Sequence, residues 1–119
     1  MEISQYKERI KKDIILPLKE QMIELGISCG YDFFAVWECE VILTKYIRRL
    51  NKVKKTSNEE TLKVVKWVVI SLNRLNKKTN GFLIDTDIRE SIYEIIQSAA
   101  IEKGLKNCDE DITAEWREW

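Results

Sequence analysis

Apolar residues recur at helical spacing along most of this chain. Between Ile3 and Leu25, Tyr6, Ile10, Ile14, Leu18 and Met22 follow one another at steps of four, which keeps one face apolar over several turns. Pro17 falls inside that segment. Without an amide proton, and with a ring that clashes with the preceding turn, it is expected to kink the helix or split it in two. Gly26 marks the end. After CGYD, the residues Val36, Cys39, Leu43, Tyr46, Leu50 and Val53 alternate steps of three and four, the signature of a helical core stripe that Asp32 would cap. Lys45, Arg48, Arg49, Lys52, Lys54 and Lys55 crowd its last turns, where cations complement the helix dipole.

A third segment opens with Ser57 and, three residues later, Glu60, the form of a capping box. Its β-branched and aromatic run at 64–70 would suit a buried strand. Leu62, Val65, Val69, Leu72 and Leu75 nevertheless keep helical spacing over a length of about 18 residues, which exceeds a usual strand. Helix is therefore predicted. In the next segment Ile88, Ile92, Ile95, Ile96 and Ala99 form an inward face, Thr86 or Asp85 caps the start, and Gly104 follows the end. Asp87, Glu90 and Glu94 line the opposite side as an acidic ridge. The closing DITAEWREW is predicted to be a helix of about two turns, capped by Asp111 or Thr113, with Ile112, Trp116 and Trp119 on one inward face.

One proline, four glycines and no internal repeat favour few, long elements. The expectation is an all-α fold, a compact bundle of four main helices plus a short C-terminal helix, as a single domain over residues 1–119. Hydrophobic residues at 45% and charged residues at 34% fit a globular domain. The N-terminus lacks the apolar block of a secretory signal, and no run approaches the roughly 18 to 20 apolar residues of a membrane span. A cytoplasmic protein with no membrane association is expected.

Net charge is zero, yet unevenly spread. Residues 1–44 carry five basic and eight acidic groups (−3), residues 45–78 eleven and two (+9), and residues 79–119 four and ten (−6). The basic middle, with Tyr46 and Trp67 inside it, opens one alternative: a small nucleic-acid-binding or regulatory protein using residues 45–78. Against nucleic acid stand the placement of both aromatics on or near apolar stripes and the acidic final third. The plainer alternative packs basic helices beside acidic ones with partial pairing.

Candidate chemistry is sparse. Acid and base catalysis and nucleophilic triads most often use histidine, which is absent. Neither GxGxxG nor GxxxxGK occurs. Glu38 and Glu40, two apart on a helix, diverge, and Asp85 and Asp87 sit where a helix dipole stabilises acids anyway. Cys29, Cys39 and Cys108 lack metal-ligand spacing and are expected to be buried free thiols. No enzyme, metal, cofactor or small-molecule substrate is expected.

The run LNRLNKKTNGFLIDTDIRESIYEIIQSAAIEKGL followed by DITAEWREW resembles the C-terminal half of small bacterial immunity proteins, the antidotes encoded beside polymorphic toxins. There a phrase of the type LI(D/E)TxxRExI precedes DITxEWREW. The matching residues are Leu83, Ile84, Asp85, Thr86, Arg89, Glu90 and Ile92, then Asp111, Ile112, Thr113, Glu115, Trp116, Arg117, Glu118 and Trp119. The resemblance covers a little over a third of the chain, and residues 1–70 carry none of it. It implies a stoichiometric binder that neutralises one cognate toxin domain in the cytoplasm, without catalysis. Under it, Asp87, Glu90 and Glu94, with Asp109, Glu110, Glu115 and Glu118, form the toxin-facing surface. Arg89, Ile112, Trp116 and Trp119 are structural, Arg89 pairing with a carboxylate of the terminal element and the tryptophans closing the bundle.

Overall fold

The computed structural model describes residues 1–55, 57–105 and 110–119. Helices α1 (Ile3–Ile10) and α2 (Leu16–Leu25) are joined by a π-helical turn, Lys11–Ile15, into one rod. A 3₁₀ turn, Gly26–Cys29, leads to α3 (Phe33–Lys52), then come α4 (Asn58–Lys78) and α5 (Thr86–Glu102). The result is an all-α bundle of four main rods, with no strand among the described residues. The β-branched third segment is helical because Val65, Val68, Val69 and Leu72 reach the core together. Packing of an amphipathic face outweighs single-residue propensity.

Pro17 does not break the first rod. It stands in the first turn of α2, directly after the π turn, in which the Leu16 amide reaches back five residues to the Lys11 carbonyl. The widened turn accommodates a residue that cannot donate a ladder bond, while Ile10 and Leu16 keep α-helical dihedrals. Tyr6, Ile10, Ile14 and Leu18 are buried along this rod and Met22 packs against the same core.

The caps are those expected. The Asp32 carboxylate accepts from the Ala35 amide at 3.0 Å, Ser57 Oγ from Glu60 at 3.2 Å, and Asp85, rather than Thr86, from Ile88 at 2.9 Å. Helix α4 ends with Asn80 in the left-handed region (φ 55°), its amide donating to Lys77 O at 3.0 Å and that of Gly81 to Asn76 O at 2.8 Å.

Cross-links fix the helix directions. Lys78 at the end of α4 pairs with Glu38 at the start of α3 (3.5 Å), and the Arg49 guanidinium lies 4.1 Å from the centre of the Trp67 ring, so α3 and α4 are antiparallel. Lys103 Nζ donates to Asn51 O at 2.9 Å, and Tyr6 of α1 donates its hydroxyl to Glu102, which places the N-terminus and the end of α5 beside the α3–α4 connection. The molecule measures 46 × 28 × 21 Å and therefore has two distinct ends.

One contiguous cluster fills the centre, with Tyr46 wholly enclosed. Its hydroxyl donates to Ile96 O at 2.7 Å, tying α3 to α5, and burial pushes its phenol pKa upward. Burial, reinforced by Glu40, pushes the Cys39 thiol up to about 12. Cys29 donates its thiol to Tyr31 O at 3.0 Å. Both are free and buried, while Cys108 lies outside the described residues. Leu62, placed on the core stripe by spacing, is instead 37% exposed, and the neighbouring Thr61 takes the inward position.

Candidate functional site

The closing segment is held by side chains of two helices. The Ile112 amide donates to Gln97 Oε1 of α5 at 3.4 Å. Buried Asn73 of α4 donates through Nδ2 to Trp116 O at 2.7 Å and accepts the Glu118 amide on Oδ1 at 3.0 Å. The segment is not the expected two-turn helix. Residues 112–116 form a turn with one α-helical bond, Arg117 N to Thr113 O at 2.9 Å, beside two tighter 3₁₀-type bonds, Ala114 N to Asp111 O and Trp116 N to Thr113 O, both at 3.2 Å. A short helix gains little against its nucleation cost, and Asn73 takes the Glu118 amide that a continuing helix would use. Asp111 organises the turn instead, accepting from the Thr113 amide at 2.9 Å and pairing with Arg117 at 2.6 Å.

Ile112, Trp116 and Trp119 pack against the core cluster, where sequence spacing put them, although on a turn. Thr113 is fully buried. The ion pair of this segment is Arg117 with Asp111, and half-buried Arg89 makes none with another described residue. Asn73 had no role in the sequence interpretation. Its signal was present, since asparagines at 73 and 76 continue the inward face beside Leu72 and Leu75. Asn76 Oδ1 likewise accepts the Ile84 amide at 3.0 Å.

Asp87, Glu90 and Glu94 are exposed on α5, as are Glu110, Glu115 and Glu118. Asp109 lies outside the described residues. Among the described residues none of these six carboxylates forms an ion pair. Asp87, Glu90 and Glu94 share one helix face over about 10 Å. Glu118 lines a hollow with Asn73, Lys77, Asn80 and Gly81 beside the α4–α5 connection.

Some of the basic residues gather between the first rod and α3. Lys7 and Lys11 of the first rod line a groove of about 290 Å³ with Lys45 and Arg48, which extends the basic surface onto α1. Its aromatics are not available for stacking. Tyr46 is enclosed in the core, and Trp67 is half-buried with Arg49 over its ring. The basic middle does not neutralise the acidic ridge: the only pairs of residues 45–78 with described acids are Lys63 to Glu59 and Lys78 to Glu38.

The end opposite the basic loop carries large apolar side chains that spacing alone did not single out. Phe33, Phe34 and Trp37 frame an almost wholly apolar hollow of about 280 Å³. Phe34 also borders a groove of about 650 Å³ with Ile27, Gly30, Tyr31, Asp32 and Glu38. Phe82 completes the group because Gly30, with φ 85°, has no side chain: a Cβ there would lie 2.5 Å from Phe82 Cγ. Behind them Tyr31 donates its hydroxyl to Leu18 O at 2.8 Å. Burial first, then the Cys29 and Asp85 charges, push its pKa up to about 12.

Fold and surface thus define a helical protein with an acidic face unpaired among the described residues and an exposed aromatic end. Among the described residues no cluster of histidine, cysteine or carboxylates could hold a metal, and no helix is long and apolar enough to cross a membrane. Comparison with protein-family models, with curated proteins and with solved structures gives no match.

Proposed function

We propose that this protein is an immunity-type inhibitor that binds one cognate bacterial toxin stoichiometrically and silences it without chemistry of its own. The observation that carries this reading is the row Asp87, Glu90 and Glu94, exposed and without ion-pair partners among the described residues, on a helix whose other face is locked into the core. Toxins that cut nucleic acid expose basic active sites. A rigid acidic surface would be steered to such a site and would block it.

The resemblance of the closing phrase supports the same reading, and the packing of Ile112, Trp116 and Trp119 against the core supports a structural role for its apolar residues. Contact with the toxin then falls to the acids. The enclosure of Tyr46 and the cover of Arg49 over Trp67 count against a nucleic-acid partner, because single strands are held by stacking as well as by charge.

Charge reversal tests the ridge. The double variant Glu90→Lys/Glu94→Lys is expected to keep the circular dichroism spectrum and melting temperature of the parent, since both side chains are exposed. Its affinity for the cognate toxin domain is expected to fall about 100-fold or more, as like charges meet across the interface. Unchanged affinity in a calorimetric titration would remove the ridge from the interface.

A further inference from the structure

We propose that the aromatic end of the bundle is a docking surface for a protein segment that presents apolar side chains flanked by lysine or arginine. The proposal does not require the partner to be a toxin. Ile27, Phe33, Phe34, Trp37 and Phe82 range from 56% exposure at Phe82 to full exposure at Ile27, so the core uses little of them. They form one surface: Phe34 belongs to both hollows, Ile27 and Gly30 share the larger with it, and Phe82 lies against Gly30. Contiguous exposed apolar area of this kind marks interaction sites, and aromatic anchors carry much of the energy of interfaces.

Charge decides among occupants. Residues 20–38 hold four acids, Glu20, Glu24, Asp32 and Glu38, and not one lysine or arginine; residues 79–88 add Asp85 and Asp87, again without a base. Asp32 and Glu38 line the larger groove with one cation, Lys78; Lys78 and Glu38 pair with each other, and Asp32 is the charge there without an ion pair among the described residues. A second copy of this chain, docked through the same face about a two-fold axis, would set these acids against their own counterparts. Nucleic acid and anionic lipid would be repelled likewise. A basic, apolar protein segment satisfies both the rings and the rim.

The test uses a synthetic amphipathic peptide of leucine and lysine, with two controls, one carrying glutamate for lysine and one serine for leucine. Isothermal titration of the full chain is expected to show binding of the leucine–lysine peptide only. Phe34→Ser/Trp37→Ser should weaken that binding about 30-fold while the fold and melting temperature hold, and Phe33→Ser/Phe82→Ser should repeat the effect. Glu90→Lys/Glu94→Lys should leave most of it, which separates this surface from the α5 ridge. No binding, binding that survives both serine variants, or a sedimenting dimer of the parent that Phe34→Ser/Trp37→Ser converts to monomer would overturn the proposal. The assay contains no toxin, so its failure leaves toxin neutralisation standing, and failure of that reading leaves this surface standing.

Discussion

Deleting residues 111–119 is expected to lower the free energy of unfolding by about 3 to 5 kcal/mol, the scale of losing large aromatic side chains from a core. Ile112, Trp116 and Trp119 would leave the cluster they pack against. Asn73, 7% exposed, would lose both the Trp116 carbonyl and the Glu118 amide. Leaving a buried polar group unsatisfied costs about 1 to 3 kcal/mol. One term opposes these: the Trp119 indole nitrogen is buried without a hydrogen-bond partner among the described residues, and deletion relieves that. The apolar loss is larger, because two tryptophans and an isoleucine go together. Urea denaturation of the full and truncated chains measures the difference. A truncated chain that melted like its parent but lost its partner would make the tryptophans interface rather than core.

The second large effect is expected at Gly104, where Gly104→Ala should cost about 2 kcal/mol or more. The residue follows α5 with φ 100°, and its amide donates to Ile101 O at 2.8 Å while that of Leu105 reaches Ala100 O at 3.0 Å. An L side chain in a left-handed conformation costs roughly 1 to 2 kcal/mol. A Cβ would also lie 2.7 Å from the Lys55 carbonyl oxygen, a backbone atom that cannot swing aside. Thermal melting reads the result. A loss below about 0.5 kcal/mol, the level of an ordinary surface change, would mean that the α3–α4 connection yields instead.

Much of the fold was legible because burial in this chain follows helical periodicity. The stripes on α3 and α5, and the caps Asp32, Ser57 and Asp85, stand where spacing put them. The first rod held a signal that passed unread. A strict step of four drifts by about 40° per repeat on a regular α-helix, so five apolar positions so spaced fit one face better when a wider turn intervenes. The π turn at Lys11–Ile15 supplies it. The terminal turn was misjudged because periodicity within nine residues says nothing of a distant Asn73 that competes for their amides.

The candidate surface divides in the same way. Exposure of Asp87, Glu90 and Glu94 followed from their lying opposite an apolar stripe. The aromatic end was harder to see, since an aromatic residue near a stripe is ordinarily core. Phe34 and Trp37, three apart, fall off the line through Val36, Cys39 and Leu43, and that offset was the available sign. The contribution of Phe82 depends on a contact with Gly30, 52 residues earlier, which no local pattern carries. Charge segregation was visible as block sums, but whether the blocks would meet and cancel depended on the packing of α3, α4 and α5. Among the described residues Asp87, Glu90 and Glu94 pair with none of the basic block, which leaves that row of α5 without an ion pair.

Growth measures the central claim most directly. The immunity reading predicts a toxic domain encoded beside this gene, to be expressed in bacteria with and without the protein. Arrest by the domain alone, restored growth on co-expression, and elution of the pair as a one-to-one complex are the expected results. Continued arrest, with the protein instead binding DNA or RNA in a steeply salt-dependent manner, would contradict the immunity reading and return the function to the basic end of the bundle.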